Sequence, residues 1–202
     1  MSRTAGREAD TRKRRVDLSG ARVVVCAETD SHFETWMREL RRQRAEVTLI
    51  WPPPRRFQDG MDLLICEYFP KVAEVLPWEP GEAGAALVLL LPQSGLHDPA
   101  EIAAAAPHGV VSRPFTAPAV VAAAQVAWSQ FRYEQRLRER IAQLDENLRS
   151  IRFVERAKLI LMAEKGMTEP AAYRHLREMA MQQRVSVVEV ADAVIRRSEL
   201  TL

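Results

Sequence analysis

Two cysteines and four histidines are all that this 202-residue chain offers of the softer metal ligands. Cys26 and Cys66 are widely spaced, each inside an apolar run, with neither CxxC nor CxH spacing. They make no metal site and fit a reducing, cytoplasmic setting. His32, His97, His108 and His175 are scattered, which argues against a metal cluster. No apolar run approaches the roughly 18 residues of a membrane span, since Ala83 to Pro92 is too short and ends in proline. The N-terminus lacks the apolar core of a signal peptide. Charge of one sign is missing too: the net charge is +2, so bulk charge does not announce a nucleic-acid partner. Nor is there a nucleophile–base pair, a phosphate loop or a metal motif, which makes an enzyme the least expected class, with no cofactor implied.

What is present is a globular composition, 47% hydrophobic and 28% charged. It suits one core of about 120 residues plus a small satellite. Arg3, Arg7, Arg12, Lys13, Arg14 and Arg15 crowd residues 1–20, which read as a disordered basic tail. From Ala21, short apolar runs alternate with helical patterns, as in a parallel sheet with crossover helices. Five strands are predicted: Arg22 to Cys26, Val47 to Trp51, Asp62 to Cys66, Ala86 to Leu91 and Gly109 to Ser112. Ser31 with Glu34 reads as a capping box opening a helix with Phe33, Trp36, Met37 and Leu40 on one face. Asp98 with Pro99 opens a short alanine-rich helix. The stretch after Phe57 is too short for a full helix, so one crossover is expected to be irregular.

Thr116 and Pro118 start a helix that nothing interrupts before Gly166. Leu137, Ile141, Leu144, Leu148 and Ile151 recur in it at heptad spacing among arginines and glutamates, an apolar seam suited to a dimerising coiled coil. Packing of that helix on its own domain is the alternative. Beyond Gly166, Thr168, Glu169 and Pro170 open a helix with apolar Ala172, Leu176, Met179 and Ala180. Ser186 and Glu189 form a capping box before a stripe of Val187, Val190, Ala191 and Val194. Three helices with two tight turns therefore cover Ile151 to Leu200. The boundaries read as a tail at 1–20, an α/β domain at 21–130, a coiled-coil linker at 131–150 and a helical domain at 151–202.

The stretch from Glu155 to Ile195 carries Ala157-Lys158, Leu161-Met162, Gly166 before a capped turn, Ala172-Tyr173, Leu176-Arg177, Met181, Arg184 and Val190-Ala191. In this combination it resembles the ANTAR domain, the RNA-binding module of AmiR/NasR-type antitermination regulators. Trp51-Pro52-Pro53-Pro54 after the second strand, and the order of elements, resemble the amidase-regulator members of that family. The likeness runs from Ala21 onward and implies an α/β plus α fold: a receiver-like (flavodoxin-like), doubly wound, parallel five-stranded sheet, a long coiled-coil helix and a three-helix ANTAR domain.

A working receiver needs an acidic pair after the first strand, an aspartate after the third, a hydroxyl on the fourth and a lysine before proline after the fifth. Metal and lysine then neutralise the charge on the phosphoryl oxygens. Here Cys26 and Ala27 take the acidic positions, with Glu28 or Asp30 only as displaced substitutes. Glu67 takes the phosphoacceptor position, Leu91 the hydroxyl's and Arg113 the lysine's. The chemistry is absent, and Glu67 and Arg113 are expected either to pair permanently or to leave Glu67 in water. Control then falls to another protein, and the resemblance implies an amide-sensing, binding-protein-like negative regulator. Trp51 and Trp78 are candidate anchors for it, or ordinary packing beneath loops.

For RNA, cations neutralise phosphates and planar groups stack on splayed bases. Arg152, Arg156 and Lys158 on one helix, and Tyr173, Arg177 and Arg184 at spacings of 4 and 7 on the next, are the candidates. Tyr173 is otherwise a core residue and the arginines a solvated face. Gln182 and Gln183 stand where the family carries a denser basic run, which weakens salt-dependent affinity. The family implies paired hairpins in leader mRNA as target, gripped by a homodimer whose bivalency raises affinity. A DNA-binding response regulator and a protein-interaction adaptor are the rival classes. Glu189 and Asp192 sit poorly in a DNA-recognition helix.

Overall fold

The protein is described by a computed structural model covering residues 18–29, 32–79, 81–93 and 97–199. The expected basic tail up to residue 17, Asp30, and the proposed cap Ser31 lie outside the described residues. The chain divides into two compact units, the first ending at Gln135 and the second beginning at Arg136.

The first unit is a five-stranded parallel sheet with β1 Arg22–Cys26, β2 Glu46–Leu49, β3 Leu63–Glu67, β4 Ala86–Leu91 and β5 Gly109–Ser112. The strand order β2-β1-β3-β4-β5 is the doubly wound, flavodoxin-like order of receivers. β4 reads ALVLLL and is buried at every position, as a strand covered on both faces must be. β2 is an edge strand and mostly exposed. It ends at Leu49, two residues before the expected Trp51, and the following prolines, which cannot donate to a ladder, stop further pairing.

Helix α1, Phe33–Arg42, turns Phe33, Trp36, Met37 and Leu40 into one face of the sheet. That stripe alone explains the helix, because His32 is its N-cap and makes no side-chain cap bond. Helix α2, Pro99–Ala105, is opened as expected: the Asp98 carboxylate accepts from the Ala100 amide at 2.8 Å, with Pro99 at N1. The β2–β3 connection has no helix, and β3–β4 holds only a 3-10 turn at Val72–Val75. The irregular crossover leaves a cleft of about 550 Å³ along β1 and β2, with Val24, Thr48, Ile50 and Phe57 on its walls.

Helix α3 runs unbroken from Ala117 to Lys165. Its first turns bury Val120, Ala124, Ala127 and Phe131 in the core of the first unit. The second unit contains its later turns, α4 Glu169–Gln183 and α5 Val187–Glu199. Ala157, Leu161, Ala172, Leu176, Ala180, Val190, Ala191, Val194 and Ile195 form its core. Gly166 ends α3 at φ +63°, where a glycine pays no Cβ penalty. The second capping box is present: the Ser186 amide donates to Glu189 Oε2 at 2.7 Å, and the Glu189 amide to Ser186 Oγ at 3.2 Å. Amide and hydroxyl of Ser186 together hold the Glu189 carboxyl below its ordinary 4.5.

Candidate nucleic-acid interface and the altered receiver pocket

In the first unit the C-terminal ends of the strands meet where a receiver does its chemistry. Cys26 ends β1 and Ala27 follows it, both buried, Leu91 ends β4 buried, and Glu67 ends β3 half-buried. Arg113 follows β5, and its Nη2 lies 2.7 Å from Glu67 Oε1. The other carboxylate oxygen of Glu67 accepts the Glu28 amide at 3.1 Å. Glu67 thus joins the ends of β1, β3 and β5 through one side chain. The guanidinium also lies over the Phe115 ring, 4.4 Å from its centroid, a cation–π contact that adds to its anchoring. Each carboxylate oxygen of Glu67 therefore has a partner, Arg113 on one and the Glu28 amide on the other. Of the two expected anchors, Trp51 is 48% exposed, whereas Trp78 packs against the core beneath its loop.

In the second unit the seam residues Leu137, Ile141, Leu144, Leu148 and Ile151 are all 44% to 59% exposed. Nothing within the described residues of one chain covers them.

The RNA candidates separate into three groups. Arg177 and Arg184 line one shallow hollow of about 410 Å³ at the α4–α5 turn, together with Met181 and Val185. Tyr173, one turn before Arg177, is 45% exposed, so it does not belong to the small core. The spacing of 7 from Arg177 is not what brings Arg184 there. Arg184 is the C-cap of α4 at φ +57°, outside the helix, and the turn itself directs it.

Arg152 and Arg156 are exposed on α3. Arg156 pairs with Glu199 at 2.8 Å, both side chains more than half exposed, an arrangement that contributes about 0–1 kcal/mol and that an anion can displace. Lys158, also expected at a phosphate, sits differently. Its side chain is 8% exposed, with Nζ 2.8 Å from Glu155 and 2.7 Å from Glu169. Position 158 adjoins the buried Ala157 face of α3, so the ammonium is turned toward α4 rather than outward. The carboxylates of Glu155 and Glu169 raise its pKa, and Lys158 in turn lowers that of Glu169. Met181, read in the sequence only as part of the family pattern and not as a contact, is 72% exposed in the same hollow. Its place on the outer face of a short helix could have marked it.

Residues 142–195 match the ANTAR domain family. The match begins inside the stretch expected to be linker. Over 83 residues the chain is 36% identical to the transcriptional regulatory protein PdtaR of Mycobacterium tuberculosis, covering 41% of this chain and 40% of that protein. The chain therefore spans about two-fifths of that relative's length. It is 25% identical to the aliphatic amidase regulator of Pseudomonas aeruginosa over 187 residues, 88% of this chain and 92% of that one. Over 61 residues it is 38% identical to the nitrate regulatory protein of Klebsiella oxytoca, covering 30% of this chain and 15% of the relative. Among solved structures, the response regulator StyR aligns over 88% of this chain and all of its own, at a TM-score of 0.49 and 14% identity.

Proposed function

Because the chain carries an ANTAR domain after a receiver-like fold, we propose that it is a transcription antiterminator. It binds paired hairpins in leader mRNA as a homodimer and so keeps the terminator stem from forming. One observation carries this reading: Tyr173, Arg177, Met181 and Arg184 lie close together on the second unit, exposed, and the side chains of the three polar ones make no ion pair or hydrogen bond among the described residues. Unpaired guanidiniums beside an exposed phenol ring and a thioether suit phosphates and unstacked bases. Arg152 supplies a further cation from α3. Arg156 joins once Glu199 is displaced. Lys158 acts as a fastener between α3 and α4.

Regulation in this reading does not run through phosphorylation. Glu67 is engaged by Arg113 and the Glu28 amide, and Cys26 and Ala27 take the positions of the acidic pair that would hold magnesium, with Glu28 or Asp30 only as displaced substitutes. A ligand-sensing partner protein takes the place of the phosphate signal, with Trp51 as an anchor on the receiver-like unit. Dimerisation uses the exposed seam of α3, which places two RNA-binding units on two hairpins and raises affinity through effective concentration.

The test is fluorescence anisotropy of the full chain with a tandem-hairpin RNA and with duplex DNA of the same sequence. Binding to the RNA that weakens steeply with salt is expected. Preference for the duplex points instead to a DNA-binding regulator. Indifference to both at low ionic strength points to a protein-interaction adaptor.

A further inference from the structure

The chain has only two cysteines, and the fold sets them side by side. Cys26 and Cys66 are direct register partners on the neighbouring parallel strands β1 and β3. Both side chains enter the same apolar layer, on the face that also buries Phe57, Leu87 and Leu89. Adjacent strands stand about 4.8 Å apart, inside the window of about 4.4–6.8 Å between Cα atoms that a disulfide requires. Both thiols are free and buried. The Cys66 thiol donates to the carbonyl oxygen of Glu67 at 3.3 Å.

We propose that Cys26 and Cys66 form a reversible intrachain disulfide on exposure to a hydroperoxide, giving the receiver-like unit a thiol switch at the rim where phosphorylation chemistry has been lost. The Cys26 thiolate attacks the peroxide, taking one oxygen as a sulfenic acid and releasing the other as water. Cys66 sulfur then attacks the sulfenic sulfur, the S–O bond breaks, and a second water leaves as the S–S bond forms. Two thiols and one hydrogen peroxide thus yield one disulfide and two waters.

The roles follow from the surroundings. The neighbouring Cys66 lowers the Cys26 pKa, favouring the thiolate there, while the proximity of Cys26 and burial push Cys66 well up. Cys26 is therefore the attacking sulfur and Cys66 the resolving one. Burial makes the pair a slow responder, because oxidant reaches it only when the strand ends open. The consequence is local to the pocket. Cys66 immediately precedes Glu67, whose carboxylate spans to Arg113 and to the Glu28 amide two residues after Cys26. Joining the two sulfurs fixes the strand ends on which that arrangement rests.

The full-length protein, treated with hydrogen peroxide, is then unfolded, alkylated with N-ethylmaleimide and weighed by mass spectrometry. The expected product lacks two hydrogens and takes up no maleimide, and dithiothreitol restores two alkylation sites. Two alkylated thiols after treatment, a stable sulfinic or sulfonic acid, or a disulfide-linked dimer would each overturn the proposal. Dimedone is expected to label Cys26 in Cys66→Ala. Labelling only of Cys66 in Cys26→Ala reverses the assigned roles and refutes the mechanism.

Discussion

Lys158 on α3 donates to Glu169, the first residue of α4, over 2.7 Å, while Glu155 one turn back on α3 takes the same ammonium at 2.8 Å. One of the cationic candidates of the sequence is thus the pin that seats α4 against the long helix. Glu169 also lies at a helix N-terminus, where a negative charge is favoured.

That pin predicts a pH dependence for the second unit. Glu169 is depressed below its ordinary 4.5, so the stability it contributes is complete above that value and is lost as the pH falls through the depressed one. Lys158 is raised above 10.5, so its contribution is complete below that value and is lost as the pH rises through the raised one. Lys158→Met is expected to lower the thermal midpoint at neutral pH and to flatten the acid limb of its pH profile, followed by circular dichroism. An acid limb identical to that of the parent protein would refute the role.

Glu67→Gln keeps the shape of the Glu67 side chain and removes its charge. It leaves Arg113 facing a neutral amide in a partly shielded place, with the two side chains 15% and 31% exposed in the parent protein. A loss of about 1 kcal/mol is expected after allowance for that exposure, measured by urea unfolding. Treatment of the parent protein with acetyl phosphate is expected to leave its mass unchanged, and a phosphorylated product would contradict the reading of the pocket.

Replacing Leu144 and Leu148 with Asp places two carboxylates in the seam, where they repel their counterparts across a dimer. The side chains are 48% and 53% exposed in one chain, so the monomer fold is expected to survive while sedimentation shifts to the monomer. Hairpin affinity is expected to fall together with dimerisation. Full antitermination by a monomer would dismiss bivalent binding.

At the RNA face, Tyr173→Ala is expected to weaken hairpin binding by about 5- to 150-fold if the ring stacks a base, whereas Tyr173→Phe keeps most of the affinity. Arg177→Ala is expected to reduce the slope of log affinity against log salt by roughly one phosphate contact. If neither variant alters anisotropy titrations, the hollow at the α4–α5 turn is not the contact surface.

Much of this molecule was legible in its residues, because the legible parts depend on neighbours a few positions away. Alternation of apolar runs located all five strands, and β1, β4 and β5 to the residue. The Ser186–Glu189 box, the Asp98 cap and the glycine stop at 166 are likewise local chemistry. The four altered receiver positions follow from counting along strand ends. Tertiary structure decided which groups are spent and which are free. A helix exposes a cation to solvent or to a neighbour according to how the next helix packs, so Lys158 became a fastener. Tyr173, expected as readily in the core, was left outside, because Ala172 and Leu176 already fill the contact with α3 and α5. The pairing of Glu67 with Arg113, and of Cys26 with Cys66, joins residues far apart in the chain. No local period encodes those contacts; the parallel register of the sheet creates them.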